Sequence, residues 1–350
     1  MSSNNGNGKG VVARSLLEKW SITELLNSGV TEVIINRPKE IITEDGEGFH
    51  HHNADFEYQD LINLANVLCT FNNKNISPDN PTQSIRLPDG ERGHIVIPPA
   101  CEPNTVVFAF RKPSDKRFSL DDYIKTGRLS EFKDTAEHKT VAEIPPEIMP
   151  FISECHLKMI EAKNKKDMAT FFQLAAVHHC NICMVGGTGS GKTTFTKAVA
   201  DLIDHETRII TIEDTHELDL PYHKNHAHLF YSTDEKAKHT AKKIIAACMS
   251  LKPDRIFLTE LRGDETWDYL SSLNTGHAGG LTSVHANDTR SAFYRIAQLA
   301  KESETGQRMD YDFILNTVKS TIDVVCFFQR TKMTELYFDP VAKIQAANGR

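Results

Sequence analysis

The sequence predicts an α/β protein with two domains, a larger one built on a parallel β-sheet and a smaller α+β domain before it. A length of 350 residues suits about two domains. From about Ile152 onward, apolar strands alternate with amphipathic helices, which is typical of a parallel sheet covered on both faces. Before Phe110, short strand-like runs separated by turn formers accompany one or two helices, which indicates an α+β arrangement.

Changes in composition divide the chain into four segments. Residues 1–14 are rich in Gly and Asn, so we expect a disordered tail. We assign residues 15–111 to the amino-terminal α+β domain and residues 151–340 to the larger domain. Between them, residues 112–150 contain Pro145-Pro146 and only brief helical patterns, so we expect a linker.

The elements follow from periodicity, taken in chain order. Leu16, Leu17, Trp20, Leu25 and Leu26 fit an amphipathic helix or helix pair. The smaller domain has a helix over Leu61–Leu68 and strand-like runs at Val33–Ile35, Ile41–Thr43, Ile85–Leu87, Ile95–Ile97 and Val106–Phe110. The larger domain has helices through Phe195, Val199 and Leu202 and over Ala237–Leu251, with strands at Ile182–Val185, Arg208–Ile212, Arg255–Leu258 and Leu281–Val284.

Charge and apolar content exclude several classes of protein. Forty Lys and Arg against 47 Asp and Glu give a net charge of −7, which argues against a chain that coats nucleic acid. The longest unbroken apolar run is Ile244–Met249, whereas a membrane span needs about 20 residues. Seven scattered cysteines do not form a disulfide framework. We therefore expect a soluble cytosolic protein without sequence-specific binding of nucleic acid.

The strongest motif is a glycine-rich loop that fits G-x-x-x-x-G-K-[ST] without a mismatch. An apolar strand enters it and an amphipathic helix leaves it, as a phosphate-binding loop requires. Its glycines let successive backbone N–H groups point at phosphate oxygens, Lys192 reaches the β- and γ-phosphates, and the Thr193 hydroxyl binds Mg²⁺. We expect ATP with Mg²⁺ to contact Gly186, Gly187, Thr188, Gly189, Ser190, Gly191, Lys192, Thr193 and Thr194.

Polar residues at the ends of three further strands are candidates for catalysis. Glu213 and Asp214 follow the second strand of the larger domain, where either can act on water or, through waters, on Mg²⁺. Glu260 follows the third strand and supplies the carboxylate expected near the metal, with a surface ion pair to Arg262 as the alternative. His285 ends the fourth strand, aimed at the γ-phosphate or a neighbouring subunit, with a structural histidine as the competing interpretation.

The set of motifs resembles the secretion-ATPase superfamily of type II and type IV secretion systems, most closely its type IV and conjugation branch. The four blocks of that family occur in order: Walker A at Gly186–Thr193, an Asp box at Ile212–Leu218, Walker B at Pro253–Gly263 and a His box at Gly276–Asn287. Thr259 stands where a Gly is common before the Walker B Glu, and Asp264 where a second Gly is common. The resemblance covers roughly residues 16–338 and implies a RecA-like P-loop motor domain joined to the smaller domain.

The resemblance also implies an assembly and a location. Relatives are homohexameric rings at the cytoplasmic side of the inner membrane that hydrolyse ATP for pilus biogenesis and move protein or nucleoprotein substrates. Partners would then be other cytoplasmic and inner-membrane components and the transported substrate. By the same resemblance an arginine of the smaller domain reaches the nucleotide, with Arg111 the first choice and Arg92 the second.

Other interpretations stay open at this stage. A type II secretion or type IV pilus motor is less favoured, because no Cys-x-x-Cys pair follows the Walker B segment. A nucleotide-gated docking module, with incidental hydrolysis, belongs to a different class. The group His216, His223, His226 and His228 we interpret as a feature of the fold and not as a metal site.

Overall fold

The described chain forms two compact units. The computed structural model describes residues 5–45, 47–112, 117–233 and 237–349, and its units comprise residues 5–112 and 117–349. Among the described residues, no helix has both the length and the apolar content to cross a membrane.

The first unit is built on an antiparallel sheet of six strands in the order β3-β2-β1-β6-β5-β4. Its elements are α1 (Asn5–Lys19), α2 (Ile22–Asn27), β1 (Glu32–Ile35), β2 (Glu40–Glu44), β3 (Phe49–Asn53), α3 (Tyr58–Phe71), β4 (Thr82–Arg86), β5 (Arg92–Val96) and β6 (Val107–Arg111). Alternate residues of β1 and β6 are buried, as a half-buried strand requires. Their buried side chains form one core with those of the three helices.

The amino-terminal tail differs from the prediction. We expected residues 1–14 to be disordered, but α1 begins at Asn5. Ala13 and Leu17 are buried at a spacing of four residues, so one face of this helix joins the core of the unit. Residues 1–4 lie outside the described part of the chain.

The second unit carries an eight-stranded sheet in the order β10-β9-β11-β12-β8-β13-β14-β7. Its helices and strands are α4 (Leu120–Lys125), β7 (Lys133–Asp134), α5 (Glu154–Asn164), α6 (Met168–Val177), β8 (Ile182–Val185), α7 (Lys192–Ala200), β9 (Ile209–Glu213), β10 (His226–Phe230), α8 (Ala241–Met249), β11 (Arg255–Leu258), α9 (Glu265–Asn274), β12 (Leu281–Val284), α10 (Thr289–Glu302), α11 (Glu304–Gln307), α12 (Tyr311–Thr321), β13 (Val324–Gln329), β14 (Lys332–Phe338) and α13 (Pro340–Ala347).

The six strands from β10 to β13 run parallel, which confirms the predicted α/β class. Strands β8, β9, β11 and β12 are buried along their whole length, because helices cover both faces of the sheet. Parallel strands bring their carboxyl ends to one edge of a sheet, where open α/β folds bind ligands. The phosphate loop and three of the predicted polar segments all begin at this edge.

The segment predicted as a linker also differs. We expected residues 112–150 to connect the domains loosely, yet the residues from 117 onward pack on the second unit. Tyr123 of α4 is buried, with its ring centroid 5.0 Å from that of Phe195. Strand β7 adds an edge to the sheet, and its Asp134 pairs with the buried Lys163 at 2.9 Å. Residues 113–116 of the expected linker lie outside the described part of the chain.

Candidate active site

The phosphate loop joins β8 to α7, as the motif predicts. Gly186, Gly189 and Gly191 have φ values of 147°, 71° and 94°, a region that L-residues with side chains rarely adopt. A Cβ atom on Gly186 would lie 2.5 Å from the Phe328 carbonyl oxygen, so no side chain fits there. The glycines therefore permit a tight loop that ends at the amino terminus of α7, where backbone N–H groups favour an anion.

Lys192 and Thr193 open helix α7. The Lys192 ammonium donates to the carbonyl oxygens of Gly186 and Gly187 at 2.7 and 2.9 Å, which holds its positive charge over the loop. The Thr193 hydroxyl donates to Glu217 Oε2 at 3.2 Å. A hydroxyl beside a carboxylate offers two oxygen ligands, the kind that Mg²⁺ prefers. The donor set thus fits the expected MgATP.

Sequence reasoning missed Glu217 as a site residue. It lies inside the Asp box, but Glu213 and Asp214 are closer to the strand and were preferred for that reason. The structure turns the chain back after β9, so that Glu217 meets Thr193. Nothing in the local pattern shows this turn, because it depends on contacts made by the Glu213 side chain.

Glu213 was predicted to act on water or on Mg²⁺, and in the structure its side chain contacts the turn after β9 and the neighbouring strand β10. Its side chain is fully buried, and Oε2 accepts hydrogen bonds from the backbone N–H groups of Glu217 and Leu218 at 2.7 and 2.9 Å. Oε1 accepts from the Thr211 hydroxyl at 2.6 Å and lies 3.0 Å from His228 Nδ1. Burial raises the pKa of Glu213, but these hydrogen bonds outweigh it and lower the pKa overall. The carboxylate therefore holds the loop that carries Glu217, and its oxygens are engaged away from the phosphate loop.

Glu260 lies at the carboxyl end of β11 in an ion-paired cluster. Its Oε2 accepts from Arg262 Nη2 at 2.9 Å, and its Oε1 lies 3.0 Å from His285 Nε2. Burial alone would raise the pKa of Glu260, but the hydrogen bonds and charges of His285 and Arg262 lower it to about 2. The carboxylate is thus ionised across the physiological range, as a group that orients water or a metal needs to be.

Arg262 connects Glu260 with the other predicted acid of the Asp box. Its Nη1 donates to Asp214 Oδ2 at 2.7 Å, so one guanidinium bridges two carboxylates from neighbouring strands. The ion pair between Glu260 and Arg262, which the sequence offered as the alternative, is present, and the catalytic role of Glu260 stays a prediction. Asp214 pairs with this guanidinium, whereas Glu213 contacts His228 and the backbone of the turn after β9.

His285 follows β12 and is about half exposed, and its Nε2 lies 3.0 Å from Glu260 Oε1. It also lines an open cavity of about 410 Å³ together with Gly186, Gly187, Asn287 and Arg295. The imidazole therefore contacts Glu260 and also lines the cavity beside the start of the phosphate loop. Arg295, on α10, is a cation of this cavity that the sequence analysis did not single out.

The two predicted arginines of the smaller domain belong to the first unit. Arg92 begins β5 and Arg111 ends β6, and the two residues are register partners. Arg111 is also the register partner of Glu32 in β1. Burial raises the pKa of Glu32, and the charge of Arg111 opposes this rise. The contribution of either arginine to the nucleotide site stays a prediction.

Comparison with known proteins decides the family. The model of the family "Type II/IV secretion system protein" matches residues 149–333. The chain belongs to this family. It is 36% identical to the type IV secretion system protein VirB11 of Bartonella henselae over 91% of this chain and 90% of that protein. The VirB11 protein of Brucella abortus is 35% identical over 90% and 86% of the two lengths.

Solved structures agree with this assignment. The VirB11 ATPase of the Brucella suis type IV secretion system, crystallised with sulphate, matches with a TM-score of 0.53 and 31% identity over 99% of this chain and 100% of that one. The pilus retraction motor PilT with bound ADP shares the fold at a TM-score of 0.55 and 16% identity, over 95% and 86% of the two chains. The resemblance to secretion ATPases, type IV branch, is confirmed, and the chain is a P-loop ATP hydrolase of that family.

Proposed function

We propose that the chain works as a homohexamer that couples ATP hydrolysis to pilus biogenesis and to the translocation of protein or nucleoprotein substrates by a type IV secretion or conjugation system. The observation that carries this proposal is identity of 35–36% to type IV secretion proteins over nearly the full length of both chains. The partners are then other cytoplasmic and inner-membrane components of such a system. The chain acts in the cytoplasm, at the inner membrane.

The site supports hydrolysis by positioning and charge. The loop N–H groups and Lys192 hold the β- and γ-phosphates, and Thr193 with Glu217 supplies oxygen ligands for Mg²⁺. When bound, Mg²⁺ neutralises charge on the phosphate oxygens. Glu260 orients the attacking water and accepts its proton, and His285 and Arg262 fix the orientation of that carboxylate.

An arginine from the smaller domain completes the site in this account. Charge on the γ-phosphate grows in the transition state, and an arginine supplied from outside the loop contributes about 10³–10⁵ in rate in other P-loop enzymes. Arg111 is the first choice and Arg92 the second, from the same or a neighbouring subunit. Movement of the smaller domain onto bound ATP would then give hydrolysis a mechanical result.

Complementation in the cells that encode the chain tests this function. A deletion strain receives either the wild type or Lys192→Ala, and pilus formation and substrate transfer are measured. We expect the wild type to restore both and the variant to restore neither, although it is present at the same level. Unimpaired transfer in the deletion strain would contradict the proposal.

The assembly is tested separately on the purified chain. Six chains of 39.3 kDa give a particle of about 236 kDa. We expect this mass by light scattering or native mass spectrometry in the presence of a non-hydrolysable ATP analogue. A monomer or dimer at all protein concentrations would contradict the hexamer.

The complementation experiment also tests the alternative function. Substrate transfer that depends on the chain but not on ATP turnover would favour the nucleotide-gated docking module.

A further inference from the structure

Three metal-ligating side chains converge beyond the nucleotide site, where β9 meets the edge strand β10. They are Glu213, His216 and His228, whose ligand atoms all lie within 4.8 Å of one another. Glu213 Oε1 lies 3.0 Å from His228 Nδ1 and 3.5 Å from His216 Nδ1. The fold creates this cluster in two ways: His228 is the register partner of Thr211, two residues before Glu213, and the turn after β9 brings His216 back.

Two of the three separations are close to the edge of a zinc coordination tetrahedron, and the third lies within 4.8 Å. Zinc binds His nitrogen and carboxylate oxygen at about 2.0–2.2 Å, so neighbouring ligand atoms of a tetrahedron lie about 3.3 Å apart. The two distances from Glu213 Oε1, 3.0 and 3.5 Å, bracket that value. The rings of His216 and His228 have their centroids 4.4 Å apart, and each ring has a nitrogen within 4.8 Å of the other two ligand atoms. Two imidazoles and one carboxylate are a familiar set of three protein ligands for zinc.

The surroundings of the cluster have the features of a built site. Glu213 is fixed by the backbone N–H groups of Glu217 and Leu218 and by the Thr211 hydroxyl, contacts of the kind that orient metal ligands. His228 is mostly buried, whereas the side chain of His216 is 49% exposed. The exposed side offers an entry path and room for water as a fourth ligand.

We propose that Glu213, His216 and His228 bind one divalent transition cation of the zinc class. Imidazole nitrogen favours zinc, cobalt or nickel over magnesium, so this site differs in selectivity from the oxygen pair of Thr193 and Glu217. The two sites are connected, because the Glu217 N–H donates to the Glu213 carboxylate. A cation here fixes the turn that presents Glu217 to the phosphate loop. The sequence analysis set this group aside, since no single stretch of sequence shows the convergence.

Cobalt binding by the full chain tests the proposal. The protein is stripped with a chelator and titrated with Co²⁺ in excess Mg²⁺ and without nucleotide, while visible absorption reports four-coordinate cobalt. We expect one Co²⁺ per chain, displaced by Zn²⁺ but not by Mg²⁺, without the charge-transfer band of a cysteine ligand. His216→Gln should bind Co²⁺ at least ~10-fold more weakly, since it removes a ligand while its exposed position leaves the fold intact. His239→Gln, at an exposed position of the same unit, is the matched control and should bind like the wild type.

Two outcomes would overturn the proposal. One is a wild type that takes up no stoichiometric Co²⁺ or Zn²⁺, which would mean that the three side chains form a hydrogen-bonded cluster only. The other is stoichiometric binding that both His216→Gln and His228→Gln retain at wild-type affinity, which would place the ion elsewhere. Circular dichroism of each variant shows whether His228→Gln, at its buried position, remains folded.

Discussion

The ionisation of Glu260 depends on its contacts with Arg262 and His285, and removing both side chains should reverse the direction of its pKa shift. Its pKa is about 2, against an ordinary value of 4.5, so the surroundings favour the carboxylate by about 3 kcal/mol. The largest single cause, burial, acts in the opposite direction and raises the pKa. Arg262 and His285 therefore contribute more than 3 kcal/mol together. With neither present, burial is unopposed and the pKa of Glu260 should lie above 4.5.

The pH dependence of kcat/KM for ATP hydrolysis reports this change. We compare the wild type with Arg262→Met, His285→Gln and the double variant between pH 4 and 8, using the residual activity of each. A lowered pKa keeps Glu260 ionised throughout this range, so the wild type should lose no activity through Glu260 as the pH falls. In the double variant, kcat/KM should fall at a pH above 4.5, because protonation of Glu260 removes the base. In each single variant, the acid limb of the pH profile should lie between those of the wild type and the double variant, because the acid dissociation constant of Glu260 is reduced about tenfold.

Arg262→Lys is the control for charge without the planar guanidinium. It should keep the acid limb near that of the wild type, although it cannot bridge Asp214 and Glu260 with the same geometry. Superimposable acid limbs in the wild type and the double variant would refute the reasoning. Arg262 and His285 would then not govern the ionisation of Glu260.

Three further predictions concern other parts of the molecule. Glu217→Gln removes the carboxylate beside Thr193, so the Mg²⁺ concentration for half-maximal turnover should rise at least ~3-fold; an unchanged Mg²⁺ dependence would contradict that role. Arg111→Ala should lower kcat at least ~10-fold without a comparable loss of thermal stability. Arg111→Lys should restore activity only in part, since lysine lacks the planar fork of the guanidinium. Activity of Arg111→Ala within twofold of the wild type would show that Arg111 does not act at the nucleotide site. Lys163→Met leaves Asp134 without its buried partner and should lower the free energy of unfolding by about 3 kcal/mol, because an uncompensated charge remains. Adding Asp134→Asn should restore part of this loss, and thermal denaturation measures both variants. Equal melting temperatures would show that the pair is energetically neutral.

The central part of the second unit was predictable because its signals are local. The four strands β8, β9, β11 and β12 are apolar runs that end in polar segments, and three of them start and stop at the predicted residues. The phosphate loop is defined by eight consecutive residues, so its structure needs no distant contact. Its position relative to Glu260 and His285 then follows from the parallel arrangement of the strands.

The missed features depend on contacts between distant residues. Strand β10 is rich in histidine and mostly half-exposed, which no apolar pattern shows. Strand β7 has two residues and exists because β14 offers a free edge, while its Asp134 meets Lys163 of α5. The contact of Glu217 with Thr193 was missed for the same reason. Which carboxylate faces Thr193 is decided by hydrogen bonds across the turn after β9.

The central claim is that ATP bound at the phosphate loop is hydrolysed with Glu260 as the essential carboxylate. The most direct measurement is MgATP binding and turnover by Glu260→Gln, which keeps the size of the side chain and removes its charge. We expect MgATP affinity within ~3-fold of the wild type and kcat at least ~10²-fold lower. Lys192→Ala, as the comparison, should lose turnover through the phosphate contacts instead. A Glu260→Gln variant with the kcat of the wild type would contradict the account and move the catalytic role to another carboxylate at this edge of the sheet.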